Sequence, residues 1–168
     1  MDVGIAPWEA WIRATALSAY VLSHPWLWPT LETLHYLGLS LLLGTVGAFD
    51  LRVLGLAKAI PPAALHRLIP FGVAAWLLNL ATGVAFILGF PEQYAYNRAF
   101  HFKLAFMALA GLNVALFYSG PFARVRAMQA GEDAPGTAKL LAGVSLSAWL
   151  LVLVCGRLIT FFRPPFFH

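Results

Sequence analysis

Leu27-Trp28-Pro29-Thr30-Leu31-Glu32-Thr33-Leu34-His35-Tyr36-Leu37-Gly38-Leu39-Ser40-Leu41-Leu42-Leu43-Gly44-Thr45-Val46-Gly47-Ala48 decides the fold of this chain. Its length is close to the ~20 residues that carry a helix across ~30 Å of hydrocarbon. In hydrocarbon every backbone polar group must be bonded within its own segment, so such a run is a helix. Two ionisable residues interrupt it, Glu32 and His35, one helical turn apart. A carboxylate or an imidazole in that setting is costly unless something satisfies it. Their partner is the functional problem.

Three further apolar runs follow. The spans are read as residues 27–48, 68–90, 99–117 and 140–161. The whole chain of 168 residues is 61% hydrophobic and 11% charged, with mean hydropathy +0.77. Soluble domains carry about 25% charged residues. The expected fold is therefore all-α: a single membrane domain, residues 1–168, built as a four-helix bundle. Residues 7–22 precede the first span, with Pro7 suited to a helix start and with Trp8, Trp11, Ile12, Tyr20 and Val21 against Glu9, Arg13 and Ser18. They read as one helix lying in the membrane interface. Ser23-His24-Pro25 ends it, and Trp26 and Trp28 mark the headgroup level.

The net charge of +4 is spread between apolar runs, without the basic and aromatic interleaving of a nucleic-acid binder. Arg52, Lys58 and Arg67 follow span one, and Arg124, Arg126 and Lys139 follow span three. The opposite side carries Arg13, Arg98 and Arg163, with Lys103 and Arg157 inside the spans. The balance puts loops one and three in the cytoplasm and both termini outside. The N-terminus lacks the basic region of a signal peptide, so no processing is expected. Cys155, the only cysteine, lies in an apolar run as inert packing.

Spans two and four share A-W-L-L-x-L-x-x-G, from Ala75 to Gly83 and from Ala148 to Gly156. The match suggests two duplicated helical hairpins related by an axis along the membrane normal. Spans one and three are then equivalent, and Leu34-His35-Tyr36 corresponds to Phe100-His101-Phe102.

His35 lies about 9–12 Å into span one. Glu32, His35, His101, Lys103 and Arg157 then share one layer toward the outer face, under Tyr94, Tyr96 and Asn97. Three readings stand side by side. His35 and His101 hold haem b through axial imidazoles, with Lys103 and Arg157 meeting the propionates. Alternatively, His35 and Glu32 relay protons at a quinone or other redox-substrate site. In the third, Glu32 pairs with Lys103 or Arg157, His35 bonds a neighbouring helix, and the cluster only holds the bundle together. A second cluster, Asp50, Arg52, His66, Arg67 and Asn113, lies at the inner face, where Asp50 and Arg52 read as solvated or snorkelling residues closing span one. A haem at His66, which precedes span two on the inner side, would need a second ligand that the sequence does not offer. Gly38, Gly44, Gly47, Gly83 and Gly156 read as thin faces for helix packing, or as room for a flat ring.

Thr33-Leu34-His35-Tyr36-Leu37-Gly38, Gly44, Asp50-Leu51-Arg52-Val53-Leu54-Gly55, Phe102-Lys103-Leu104, Ala110-Gly111-Leu112-Asn113 and Gly156-Arg157 resemble a family of small four-helix bacterial membrane proteins with no established activity. The layout is more distantly similar to HemJ-type protoporphyrinogen oxidases and to copper-resistance-D type membrane proteins. The HemJ resemblance implies that Leu34-His35 and Lys103 are functional and that haem b is bound; Asp50-Leu51-Arg52 stands where that type has a Pro-Arg motif. The resemblance implies a bacterial inner membrane. The expected function is a haem-binding or redox-linked membrane protein, with Glu32, His35, His101, Lys103 and Arg157 as the cofactor site. The alternative is a structural subunit of a larger complex, docked through the aromatic tail Phe161-Phe162-Arg163-Pro164-Pro165-Phe166-Phe167, and the small-residue faces permit a homodimer.

Overall fold

The computed structural model describes residues 6–162. Arg163 and most of the aromatic tail lie outside the described residues. Four long apolar helices make a multi-pass membrane bundle: α3 (Leu27–Leu54), α5 (Ile69–Gly89), α7 (Arg98–Ser119) and α9 (Gly136–Leu158). Short helices flank them: α1 (Pro7–Arg13), α2 (Ala16–Ser23), α4 (Pro62–His66), α6 (Pro91–Ala95) and α8 (Phe122–Ala127). Leucines stand exposed along the spans, Leu37, Leu77, Leu112 and Leu151 among them. Such a surface suits hydrocarbon and not water.

The first span is longer than its apolar run. Backbone bonding carries α3 past Ala48 to Leu54, where Gly55 takes a positive φ of 109°. The amides of Gly55 and Leu56 then bond the carbonyls of Arg52 and Leu51 at 3.1 and 3.0 Å, which closes the helix. The second span starts within a residue of the expected place, with Pro70 in the first turn of α5, where its missing amide costs no hydrogen bond. Residues 7–22 are two helices instead of one, since the Thr15 hydroxyl accepts from the Ser18 amide at 3.2 Å and starts a new helix. These helices dock on the bundle. Arg13 pairs with Glu92 of α6, and Ser18 donates to the Leu88 carbonyl at 2.7 Å.

Helix α3 packs along α5 and along α9, and α7 packs along α9. The hairpins α3/α5 and α7/α9 are thus joined through α3 and α9. A strict two-fold axis would match that contact with one between α5 and α7, yet those helices make no more than marginal contact. The bundle is closed on one side and open on the other.

One core, with Phe49, Val53, Phe117, Val125 and Ala138, seals the end bearing α4 and α8. Another, with Tyr94, Ala99 and Ile159, seals the opposite end. There Asn97 is fully buried. Its Oδ1 accepts from the Ala99 and Phe100 amides, and its Nδ2 donates to the Ile159 carbonyl at 2.9 Å. One side chain starts α7 and ties it to the end of α9.

Candidate functional site: a two-pole cleft

The open edge forms a cleft with α5 and α7 as walls and α3 and α9 behind them. Its main cavity has a volume of about 450 Å³ and is lined mostly by apolar side chains, Leu42, Trp76, Met107 and Phe117 among them. A cavity of about 100 Å³ adjoins it and shares Leu42, Trp76, Met107 and Trp149. The two together run from His35 at one pole to Asp50 at the other. Fifteen helical residues separate these poles, about 22 Å along the axis.

At the first pole, His35 Nδ1 lies 2.7 Å from Thr82 Oγ1 on α5, and its ring meets Phe86 edge-on. The Thr82 hydroxyl also reaches its own helix, at the Leu78 carbonyl 2.9 Å away. With that proton used on the helix, the imidazole donates through Nδ1 and keeps a lone pair on Nε2. Lys103 of α7 lines the same cavity and lies against Gly156, and it forms no ion pair among the described residues. Asn79 completes this pole. Its Nδ2 donates to the Ala75 carbonyl, which leaves a buried Oδ1 without a partner.

At the second pole stand Asp50, Asn113 and Ser145, with Trp149 one turn further along α9. Asp50 is 6% exposed, Asn113 4% and Ser145 4%. Asp50 Oδ2, Asn113 Oδ1 and Trp149 Nε1 are buried with no partner. The expectation that Asp50 and Arg52 are solvated or snorkelling is overturned. Arg52 is fully buried because its guanidinium turns into the loop end, toward the carbonyls of Ile60 at 2.5 Å, Glu132 at 3.2 Å and Gln129 at 3.4 Å. Asp50, two residues away on the helix, turns instead to the cleft. His66 Nε2 lies 2.9 Å from the Tyr118 hydroxyl.

The structure does not gather the other expected site residues. His101 is exposed, and its Nε2 bonds the Ala95 carbonyl at 2.8 Å, outside both cavities. Glu32 is exposed and accepts from Trp28 Nε1 at 3.0 Å, so neither Lys103 nor Arg157 is its partner. Arg157 is exposed, bonds Thr160 and lies over the Phe161 ring. Tyr94 is buried above this layer. Burial, and then the Glu32 carboxylate, hold its phenol above the ordinary value. As arranged, these residues do not fit a bis-histidine haem: the two imidazoles serve different elements, and the space beside His35 is small for a porphyrin.

The glycines divide into two kinds. A Cβ on Gly38 would run into the Asn79 amide, and one on Gly72 would meet Thr45 Oγ1 at 2.6 Å. These two let α3 and α5 approach closely. Gly44 and Gly83 face open space and are not packing residues, contrary to expectation.

Sequence reading missed Asn79, Thr82, Ser145 and Trp149 as site residues. Each is a polar group within an apolar span, the signal that singled out His35, but small hydroxyls and indoles are common enough in membrane helices to pass unnoticed. No family model, no curated protein and no solved structure matches the chain.

Proposed function

We propose that this chain is a membrane-embedded binding protein that takes an amphiphile from the bilayer through the gap between α5 and α7. The cleft carries this reading. Its volume of about 450 Å³ falls within the range of small-molecule sites, roughly 300–1,000 Å³, and it joins apolar walls to a few buried hydrogen-bonding atoms, as such sites do. The ligand's apolar body lies among the leucine and aromatic side chains, and its polar group takes up one of the poles. A brominated aromatic alcohol, para-bromophenethyl alcohol, tests this through quenching of tryptophan fluorescence, since Trp76 and Trp149 line the cavity. Saturable quenching that disappears in Gly111→Phe supports it, because residue 111 lines the cavity and a side chain there meets no obstacle. Quenching that is unsaturable and equal in the two proteins overturns it.

A second reading makes the protein redox-linked, with a flat redox-active amphiphile such as a quinone at the His35 pole. The free Nε2 of His35 and the unpaired Lys103 favour it. In this reading His35 Nε2 and the Lys103 ammonium would meet the oxygens of the ring, and His101, Glu32 and Arg157 stand aside. Saturable tryptophan quenching by a short-chain ubiquinone that His35→Ala weakens supports it; quenching that is unsaturable, or unchanged in His35→Ala, rules it out.

For either reading we place the chain in a bacterial inner membrane with loops one and three cytoplasmic and the termini outside. The cluster of Lys58, Arg67, Arg124, Arg126 and Lys139 around the α4/α8 end supports that orientation. Assembly as a homodimer or as a structural subunit of a larger complex is the non-catalytic alternative, tested by gentle purification and mass measurement of the intact particle.

A further inference from the structure

Asp50 brings a carboxyl group into the cleft, and no lysine or arginine lines the cavity with it. The nearest cation along the chain, Arg52, is engaged with three loop carbonyls on the other side of the helix. Asn113 donates through Nδ2 to the Leu141 carbonyl at 3.1 Å, so the atom it leaves unpartnered is the acceptor Oδ1. The pole therefore presents two buried oxygens, Asp50 Oδ2 and Asn113 Oδ1, that lack donors. The Ser145 hydroxyl bonds the Asp50 carboxyl, but a neutral donor does not balance its charge, and a carboxylate in a membrane segment with no cation beside it calls for an opposite charge or a proton.

We infer that the Asp50 pole binds the protonated amino group of a lipophilic amine, an inference that rests on the cleft reading above. An ammonium group carries three donors and no acceptor. It supplies hydrogen bonds to Asp50 and Asn113 and leaves one for the Ser145 hydroxyl. The rings of Phe49, Phe117 and Tyr118 line the same cavity, and the face of an aromatic ring attracts a cation and repels an anion. A neutral alcohol brings one donor and satisfies a single oxygen. An acidic head group would meet the carboxylate of Asp50 with like charge.

The test compares para-bromophenethylamine with para-bromophenethyl alcohol, which share size and ring, by tryptophan quenching in nanodiscs of zwitterionic lipid. The wild-type protein binds the amine at least about tenfold more tightly than the alcohol, a factor equal to ~1.4 kcal/mol. Asp50→Asn removes the preference, so that the amine and the alcohol bind alike. Equal affinities in the wild type overturn the inference while leaving the cleft reading intact, and this comparison needs no variant to fold. An amine preference that persists in Asp50→Asn also overturns it. Failure of both probes to bind overturns the cleft reading together with the inference.

Discussion

His35 Nδ1 and Thr82 Oγ1 lie 2.7 Å apart, and this contact joins the first span to the second across the α3–α5 seam. Thr82 is itself buried, so the imidazole is held by a group that water does not reach. Replacing Thr82 with valine removes the acceptor at nearly constant volume. The expected loss of stability is about 0.6–1.5 kcal/mol, the range for side-chain hydrogen bonds between membrane helices. Nitrogen NMR of labelled His35 reports the other consequence: Nδ1 carries the proton in the wild type, and the tautomers mix in the variant.

Asp50 predicts a conflict between stability and binding. Its carboxyl group is buried without a cation, so the neutral isostere removes a desolvation penalty along with a charge. Asp50→Asn is expected to melt no lower than the wild type in detergent, even as the preference for the amine is lost. A melting temperature more than about 5 °C below the wild type, a shift of ~1 kcal/mol or more, would make Asp50 a structural residue instead.

Arg52 behaves in the opposite way. It ties the loop after α3 to the loop before α9 through three carbonyls, with no exposure to solvent. Arg52→Met keeps the stem and removes the donors. The expected loss is ~3 kcal/mol or more, because the three carbonyls are left unpaired and bonds to a charged group are among the stronger ones. Limited proteolysis reads it locally, as faster cleavage within residues 56–61 and 128–135.

Beside that junction, Asp133 bonds Lys139 at 2.6 Å and Lys58 at 3.2 Å. Hydrogen bonds from Lys139 and then Lys58 hold its carboxyl below the ordinary carboxylate value. The folded value is depressed, so the stabilisation is complete above the unfolded value, about 3.9, and is lost as pH falls below it through the folded one. Titration of Asp133 by carbon NMR is expected to show a midpoint below that of a model peptide. The three groups are solvent-accessible, so the shift shrinks in high salt.

The glycines separate tight seams from open faces. Gly38→Ala and Gly72→Ala force α3 and α5 apart and are expected to destabilise by about 1–3 kcal/mol. Gly44→Ala and Gly83→Ala meet nothing and are expected to be neutral or slightly stabilising, since alanine is the better helix former by up to ~1 kcal/mol. Thermal unfolding of the four variants in one detergent checks the ranking.

The four spans and their hairpin order were legible in the chain alone, because a bilayer requires long apolar runs and satisfied backbones whatever the side chains do next. His35 and Lys103 were legible for the same reason: an ionisable group in such a run stands out. Which groups meet was not legible. The repeat pairs His35 with His101, yet His35 lies two turns into α3 and meets Thr82, while His101 lies in the first turn of α7 and bonds the Ala95 carbonyl. Asp50 and Arg52 are two residues apart, about 200° around a helix, so one enters the cleft while the other enters the loop junction. The missing contact between α5 and α7, which makes the cleft, depends on how three helix seams fit together. Composition and hydropathy determined that this chain crosses a membrane four times; only the tertiary packing decided where the bundle stays open and which polar atoms line the opening.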